Sequence, residues 1–332
     1  MGNFNSLIFP APKPPFYEKG HMNLVYVPRI TSKDKTKSRT QKPDKKNKNA
    51  KSYICGKART LPPIPCMLIA PPTVSKCTHV IIYFHGNASD IGCSPNFFSN
   101  LLPRWNAFAI AMEYPGYGVY KSQKLSPDNI AKDAEAVYDY LTIRAGIKPQ
   151  QIIIFGRSMG SGPACRLARR REVKALILMS AYMSVQKAAK SLVGCFGCCV
   201  RERFRNFHRI SALKIPILFL HGKKDRVIPC EHSQHLFGLA TQSVLKRLVL
   251  REGMTHNEYS TRYDLIEPVK AFLVDIGVLG VAGLEVVKFG DQVIEEMTCG
   301  PAEVEGVPIL FTQEGEGNRA VMAKNFGLKR ID

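Results

Sequence analysis

Three side chains, Ser158, Asp225 and His256, have the types and the order to do acyl-transfer chemistry together. Ser158 is the middle residue of Gly156-Arg157-Ser158-Met159-Gly160, a G-x-S-x-G, and the apolar run Ile152, Ile153, Ile154, Phe155 leads straight into it. Glycine at both ends lets a strand turn sharply into a helix without a Cβ clash, leaving the middle serine on a strained corner. Glycine and serine are also ordinary turn and cap residues, so the pentapeptide points to a nucleophile only because of the strand before it. A serine hydroxyl is a weak nucleophile until a base takes its proton, and the base needs a carboxylate to orient it. Asp225 in HGKKDRVIP and His256 in EGMTHNEY follow Ser158 in the order nucleophile, acid, base.

The chemistry also needs two backbone N–H groups for the oxyanion of a tetrahedral intermediate. One is expected from Met159, directly after the nucleophile. The other is expected from Asn87 in His85-Gly86-Asn87-Ala88, where Gly86 permits a tight backbone; a plain turn is the alternative. His232 and His235 fall on an expected helix and His221 precedes the acid, which leaves His256 as the base. Cys195-x-x-Cys198 has no second ligand pair, so no metal and no cofactor is expected.

These residues need a frame, and the chain supplies alternating strands and helices from Leu61 onward. Strands are expected at Cys66 to Ala70, His79 to Phe84, Ala107 to Met112, Ile152 to Phe155, Ala175 to Met179 and Pro216 to Leu220. A weaker strand, Val244 to Leu250, carries Lys246 and Arg247 as an edge would. Ser126-Pro127-Asp128 opens one helix, and another is expected from about Asp264 to Val274. The alternation argues for an α/β fold with a mostly parallel central sheet and helices on both faces. Asp225 and His256 then lie just past the carboxyl ends of strands, where open α/β sheets build their sites. Residues 61–276 form this domain, with an insertion at about 181–213 as a cap.

Outside it, Met1 to Ser6 (MGNFNS) fits an N-myristoylation pattern on Gly2. The net charge is +20, and half of it comes from Arg29 to Arg59, where twelve Lys/Arg face only Asp34 and Asp44. Residues 1–60 are expected to be a disordered segment, and Lys33 to Lys51 to be either a solvated linker or an attachment to an anionic membrane surface. Nucleic acid is not expected, because no aromatic residue interleaves with those lysines. The opening residues lack a secretory pattern and no run of 18 apolar residues occurs, so a cytoplasmic protein is expected, peripheral to a membrane on its cytoplasmic side if anchored. Its ten cysteines form no regular framework, so reduced thiols are expected. Residues 277–332 are Gly-rich and mildly acidic and carry no motif; neither their role nor the oligomeric state can be read.

Over roughly Leu61 to Val274, the segments FHGNASDIG, EYPGYG, FGRSMGSGPA, HGKKDRVIP and THNEY resemble the α/β-hydrolase-domain-containing protein 17 family of serine hydrolases. The resemblance implies an α/β-hydrolase fold, a Ser158 nucleophile with Asp225 as acid and His256 as base, and removal of S-palmitoyl groups from proteins at a membrane. The family's N-terminal cysteine cluster has no counterpart here, where Gly2 and the polybasic run stand instead. S-acylated proteins are the substrates that the resemblance implies. Lipid or small esters cleaved by the same three residues are one alternative, and an inactive interaction module is another.

Overall fold

The computed structural model describes residues 10–30, 61–200 and 202–298. Eight strands form one sheet: β1 (Leu24–Val27), β2 (Ile64–Ile69), β3 (His79–Phe84), β4 (Ala107–Met112), β5 (Ile152–Arg157), β6 (Ala175–Met179), β7 (Ile217–Gly222) and β8 (Lys246–Arg251). Their spatial order is β1-β2-β4-β3-β5-β6-β7-β8. The first two ladders, β1 to β2 and β2 to β4, are antiparallel, and the remaining five are parallel. Successive side chains of a strand point to opposite faces, so Val80, Ile82 and Phe84 enter one hydrophobic cluster while Ile81 and Tyr83 enter the other. Both faces are covered, which is why the central strands read as unbroken apolar runs.

One face packs on α1 (Ser94–Phe98), α2 (Leu102–Trp105) and α8 (Glu267–Asp275), through Phe98, Trp105 and Phe272. The other packs on α3 (Pro127–Asp139), α4 (Ser161–Arg170), α5 (Val185–Val193), α6 (Asn206–Ile210), α7 (Glu231–Leu239) and α9 (Asp291–Thr298). Helix α3 starts where Ser126 and Pro127 said it should: the Ser126 hydroxyl accepts the Asn129 N–H at 3.1 Å, satisfying an orphan donor of the first turn. Strand β8 is the sheet's far edge and is only half-buried along its length.

The N-terminal segment departs from the expected disorder. β1 lies inside residues 1–60 and pairs with β2 in the register Leu24 to Met67, extending the sheet by one strand. Arg29 belongs to the fold as well, since its guanidinium reaches Asp133 at 2.7 Å and the Tyr120 hydroxyl at 2.8 Å. Lys33 to Lys51 and Gly2 lie outside the described residues. At the other end, α9 packs against β1, and Phe289 meets Phe108 edge-on at 5.3 Å, so the start of the C-terminal extension buries one face of the sheet. Among the described residues no helix is long and apolar enough to cross a membrane.

Candidate functional site

β5 delivers Ser158 at its carboxyl end. The serine sits at φ +52°, in the left-handed region that side chains with a Cβ avoid, and α4 begins three residues later. Neither flanking glycine has a positive φ; both are required by close approach instead. A Cβ on Gly156 would lie 2.6 Å from the Gly160 carbonyl oxygen, and one on Gly160 would lie 2.6 Å from the Phe84 carbonyl carbon. Packing of α4 against β3 and β5 at these two points holds the corner in its strained form.

His256 and Asp225 come to this serine from the loops after β8 and β7. The Ser158 hydroxyl is 3.0 Å from His256 Nε2, and His256 Nδ1 is 2.7 Å from Asp225 Oδ2. A carboxylate accepts, so Nδ1 carries the proton and Nε2 is left free to accept from the serine. Asp225 is itself fixed on every side: Oδ1 accepts the Val227 and Ile228 N–H groups at 2.9 and 2.8 Å. Oδ2 also lies 3.3 Å from Nε2 of the fully buried His221. Burial alone would raise the pKa of Asp225, but the hydrogen bonds from His221, His256 and the Ile228 N–H outweigh it and hold the carboxyl well below its usual range. Asp225 is therefore a fixed anion, suited to hold the imidazole in one tautomer and to stabilise it when protonated.

Two residues visible in the sequence without a role complete this side. His221 lies one turn of chain before the acid; its Nε2–H reaches the Ile228 carbonyl at 2.8 Å and its Nδ1 meets the Ser233 hydroxyl at 2.6 Å. The H-G-x-x-D spacing was its signal. Arg157, inside the G-x-S-x-G, donates from one nitrogen to the His256 carbonyl and to Asn257 Oδ1, both at 3.1 Å, and so ties the loop of the base to the corner of the nucleophile.

Met159 is buried and follows Ser158 in a short 3-10 turn, and its carbonyl accepts the Tyr182 hydroxyl at 3.1 Å. Asn87 is exposed in the loop after β3, where its Oδ1 accepts the Tyr117 hydroxyl at 3.1 Å. The neighbouring Gly86 lies beside the serine, since a Cβ built on it would stand 3.6 Å from Ser158 Cβ. Residues 181–213 carry α5 and α6 between β6 and β7 and close over α4. Tyr182 and Phe204 fill the space above Gly162, and Asn206 Nδ2 donates to the Tyr182 carbonyl at 3.0 Å. Among the described residues no group of three or more His, Cys, Asp or Glu forms a metal-ligand set. Burial pushes the Cys77 and Cys165 thiols up to about 12, which makes them packing groups and not nucleophiles.

Alpha/beta hydrolase domain-containing protein 17B of Homo sapiens is 33% identical over 213 residues, covering 63% of this chain and 70% of that protein. The chain belongs to the alpha/beta hydrolase domain-containing protein 17 family. A second member, protein 17C of Xenopus tropicalis, is 33% identical over 211 residues, 63% of this chain and 65% of that one. A model of the family described as serine aminopeptidase, S33 matches residues 75–209, a span that holds Ser158 but neither Asp225 nor His256. Among solved structures, the esterase Est1E from Butyrivibrio proteoclasticus superposes with a TM-score of 0.51 at 18% identity, over 65% of this chain and 95% of that one. An esterase of Pyrococcus furiosus gives 0.52 at 16%, over 65% and 84%. These likenesses establish the fold, that of an α/β hydrolase with a mostly parallel sheet.

Proposed function

We propose that this protein is a serine hydrolase that cleaves thioester bonds, with S-palmitoylated proteins at a membrane surface as its substrates. The observation that carries the reading is the continuous hydrogen-bonded chain from Ser158 through His256 to Asp225, mounted on a strained corner. In this reading His256 Nε2 takes the Ser158 proton as Oγ attacks the acyl carbonyl, and the Met159 N–H with the Gly86-Asn87 loop receives the oxyanion. Collapse of the tetrahedral species forms the Ser158 acyl ester and breaks the C–S bond, and the imidazolium protonates the departing cysteine sulfur. Water, deprotonated by His256, then releases the fatty acid. The acyl chain supplies non-directional binding energy of about 0.8 kcal/mol per buried CH₂, so rates should rise with chain length.

Gly2 and the polybasic run between residues 33 and 51 support the membrane part of the proposal. A single myristoyl chain binds membranes only marginally, and basic residues near an anionic leaflet add up to about 1 kcal/mol each. The test is to label the protein with a fluorophosphonate probe and then compare turnover of an S-palmitoyl peptide with that of a simple ester. Labelling that is lost in Ser158→Ala, with faster turnover of the palmitoyl thioester, supports the reading. Turnover of the simple ester alone would move the substrate class to lipid or small esters. Absence of labelling in the folded protein would leave an inactive interaction module.

A further inference from the structure

The N-terminal segment reaches the site from behind. The Phe16 N–H donates to Oδ2 of the fully buried Asp90 at 2.8 Å, and the same carboxylate accepts the Gly92 N–H at 2.9 Å. The contact is tight, because a Cβ on Gly92 would stand 2.8 Å from the Phe16 carbonyl carbon. Tyr17 follows and is buried. Its hydroxyl donates to Glu113 Oε2 at 2.8 Å and accepts the Val119 N–H at 3.3 Å, while Gly118 clears room for the ring. Burial, together with the adjacent Glu113 carboxyl, pushes this phenol far above its usual range, so it remains a donor.

Glu113 has no exposed surface. Its Oε1 accepts the Tyr114 N–H at 2.9 Å and faces His85 Nε2 at 3.1 Å. The His85 ring is held in turn: it stacks on Tyr114 with centroids 3.9 Å apart, and its Nδ1 meets the Gly86 carbonyl at 2.9 Å. The His85 carbonyl accepts the Tyr114 hydroxyl at 2.7 Å. Contacts therefore run without a gap from Tyr17 through Glu113 and His85 to Gly86, which backs onto Ser158. A buried carboxylate depends on its donors, and among the described residues the Ile91 N–H, at 3.5 Å, is the other donor to Oε2 besides the Tyr17 hydroxyl.

We propose that Tyr17 is a positioning residue for the oxyanion loop: its hydroxyl fixes Glu113, which fixes His85 and through it the backbone of Gly86 and Asn87. The proposal rests on the reading of Ser158 as a nucleophile. It makes the seating of residues 10–17 a condition of catalysis, so that drawing this segment away slows hydrolysis without touching Ser158, His256 or Asp225. Small displacements suffice, because an oxyanion donor is effective only at close range and correct angle.

The test uses the full chain and its Tyr17→Phe variant, with p-nitrophenyl octanoate as substrate and an alkyl trifluoromethyl ketone as inhibitor. Addition of Ser158 to the ketone places an oxyanion where the tetrahedral intermediate would have one. The expected result is a kcat lower by about tenfold, an unchanged KM, and a ketone Ki raised by the same factor. Gly92→Ala, which displaces Phe16 while keeping Tyr17 and all three catalytic candidates, should give the same pattern and serves if Tyr17→Phe does not fold. Wild-type kcat in Tyr17→Phe would overturn the proposal, as would a loss of kcat with an unchanged ketone Ki, the mark of general loosening. An active wild type with an indifferent Tyr17→Phe sinks this inference alone, whereas a wild type that fluorophosphonate does not label at Ser158 sinks the hydrolase reading and this inference with it.

Discussion

Asp225→Asn is the substitution that most sharply separates orientation from mere presence of an acid. The carboxylate faces four donors, two fixed backbone N–H groups on Oδ1 and two imidazoles on Oδ2. An asparagine fits the same space but offers one acceptor and one donor. If its NH₂ faced Val227 and Ile228, two buried backbone donors would be left unsatisfied at about 1–3 kcal/mol each. The NH₂ therefore turns toward the histidines. His256 answers by presenting Nδ1 as an acceptor, which moves its proton to Nε2, and Nε2–H then points at Ser158 Oγ where a lone pair is required. The expected loss is roughly 10⁴-fold in kcat, about 5.5 kcal/mol, with KM little changed. The same variant should alter acid stability. Because the native carboxyl is held below its unfolded value, its contribution is complete above about pH 4 and fades as the pH falls through the lowered native pKa. Steady-state kinetics at neutral pH and urea titrations from pH 7 down to 3 read both effects. A kcat within tenfold of wild type in the folded variant would refute the orienting role.

Three further outcomes follow from the geometry. At ordinary positions alanine is more stabilising than glycine, but at φ +52° the order reverses, so Ser158→Gly should exceed Ser158→Ala in unfolding free energy by about 1 kcal/mol, measured by denaturant titration. Gly160→Ala forces a Cβ against the Phe84 and His85 carbonyls, and a loss of about 3 kcal/mol with collapse of activity is expected from thermal melts and ester assays. His232 accepts the Met183 N–H at 3.2 Å and meets the Ser191 hydroxyl at 3.1 Å, joining α7 to the cap. Burial first, then nearby His221, His235 and Lys187, push His232 down to about 4, so the unfolded chain takes up its proton first and stability drops as the pH falls from about 6.5 toward 4. The protection factor of the Met183 amide, the exchange rate divided into its intrinsic value at each pH, should fall over that window in wild type and stay level in His232→Asn.

The parallel strands and the order of the three catalytic candidates were legible because both are local signals. Buried strands between two helical layers must be apolar on both faces, and Ile152 to Phe155 satisfies that without reference to any partner. β1 was not legible: it is only four residues long, it runs into Pro28 and Arg29, and its partner β2 lies some forty residues on. Arg29 counted as one more cation of the polybasic run until the fold brought Asp133 to it from 104 positions away. Tyr17 and Glu113 are separated by 96 residues; Glu113 opens the EYPGYG segment, but nothing local to either residue shows that the two meet. His221 was visible as a residue, but its bond to Asp225 depends on how the loop after β7 turns. The packing of α9 on β1 could not have been foreseen, since the strand it covers had not been read.

The central claim is that Ser158 carries the acyl group during turnover, and trapping that intermediate tests it most directly. Full-length protein is mixed with an S-palmitoyl peptide, quenched in acid within the first turnover, digested and analysed by mass spectrometry. The account predicts a palmitoyl ester on the peptide that contains Ser158, absent in Ser158→Ala and slow to form in His256→Ala. Turnover of the thioester with no adduct on Ser158, or with an undiminished rate in Ser158→Ala, would contradict it.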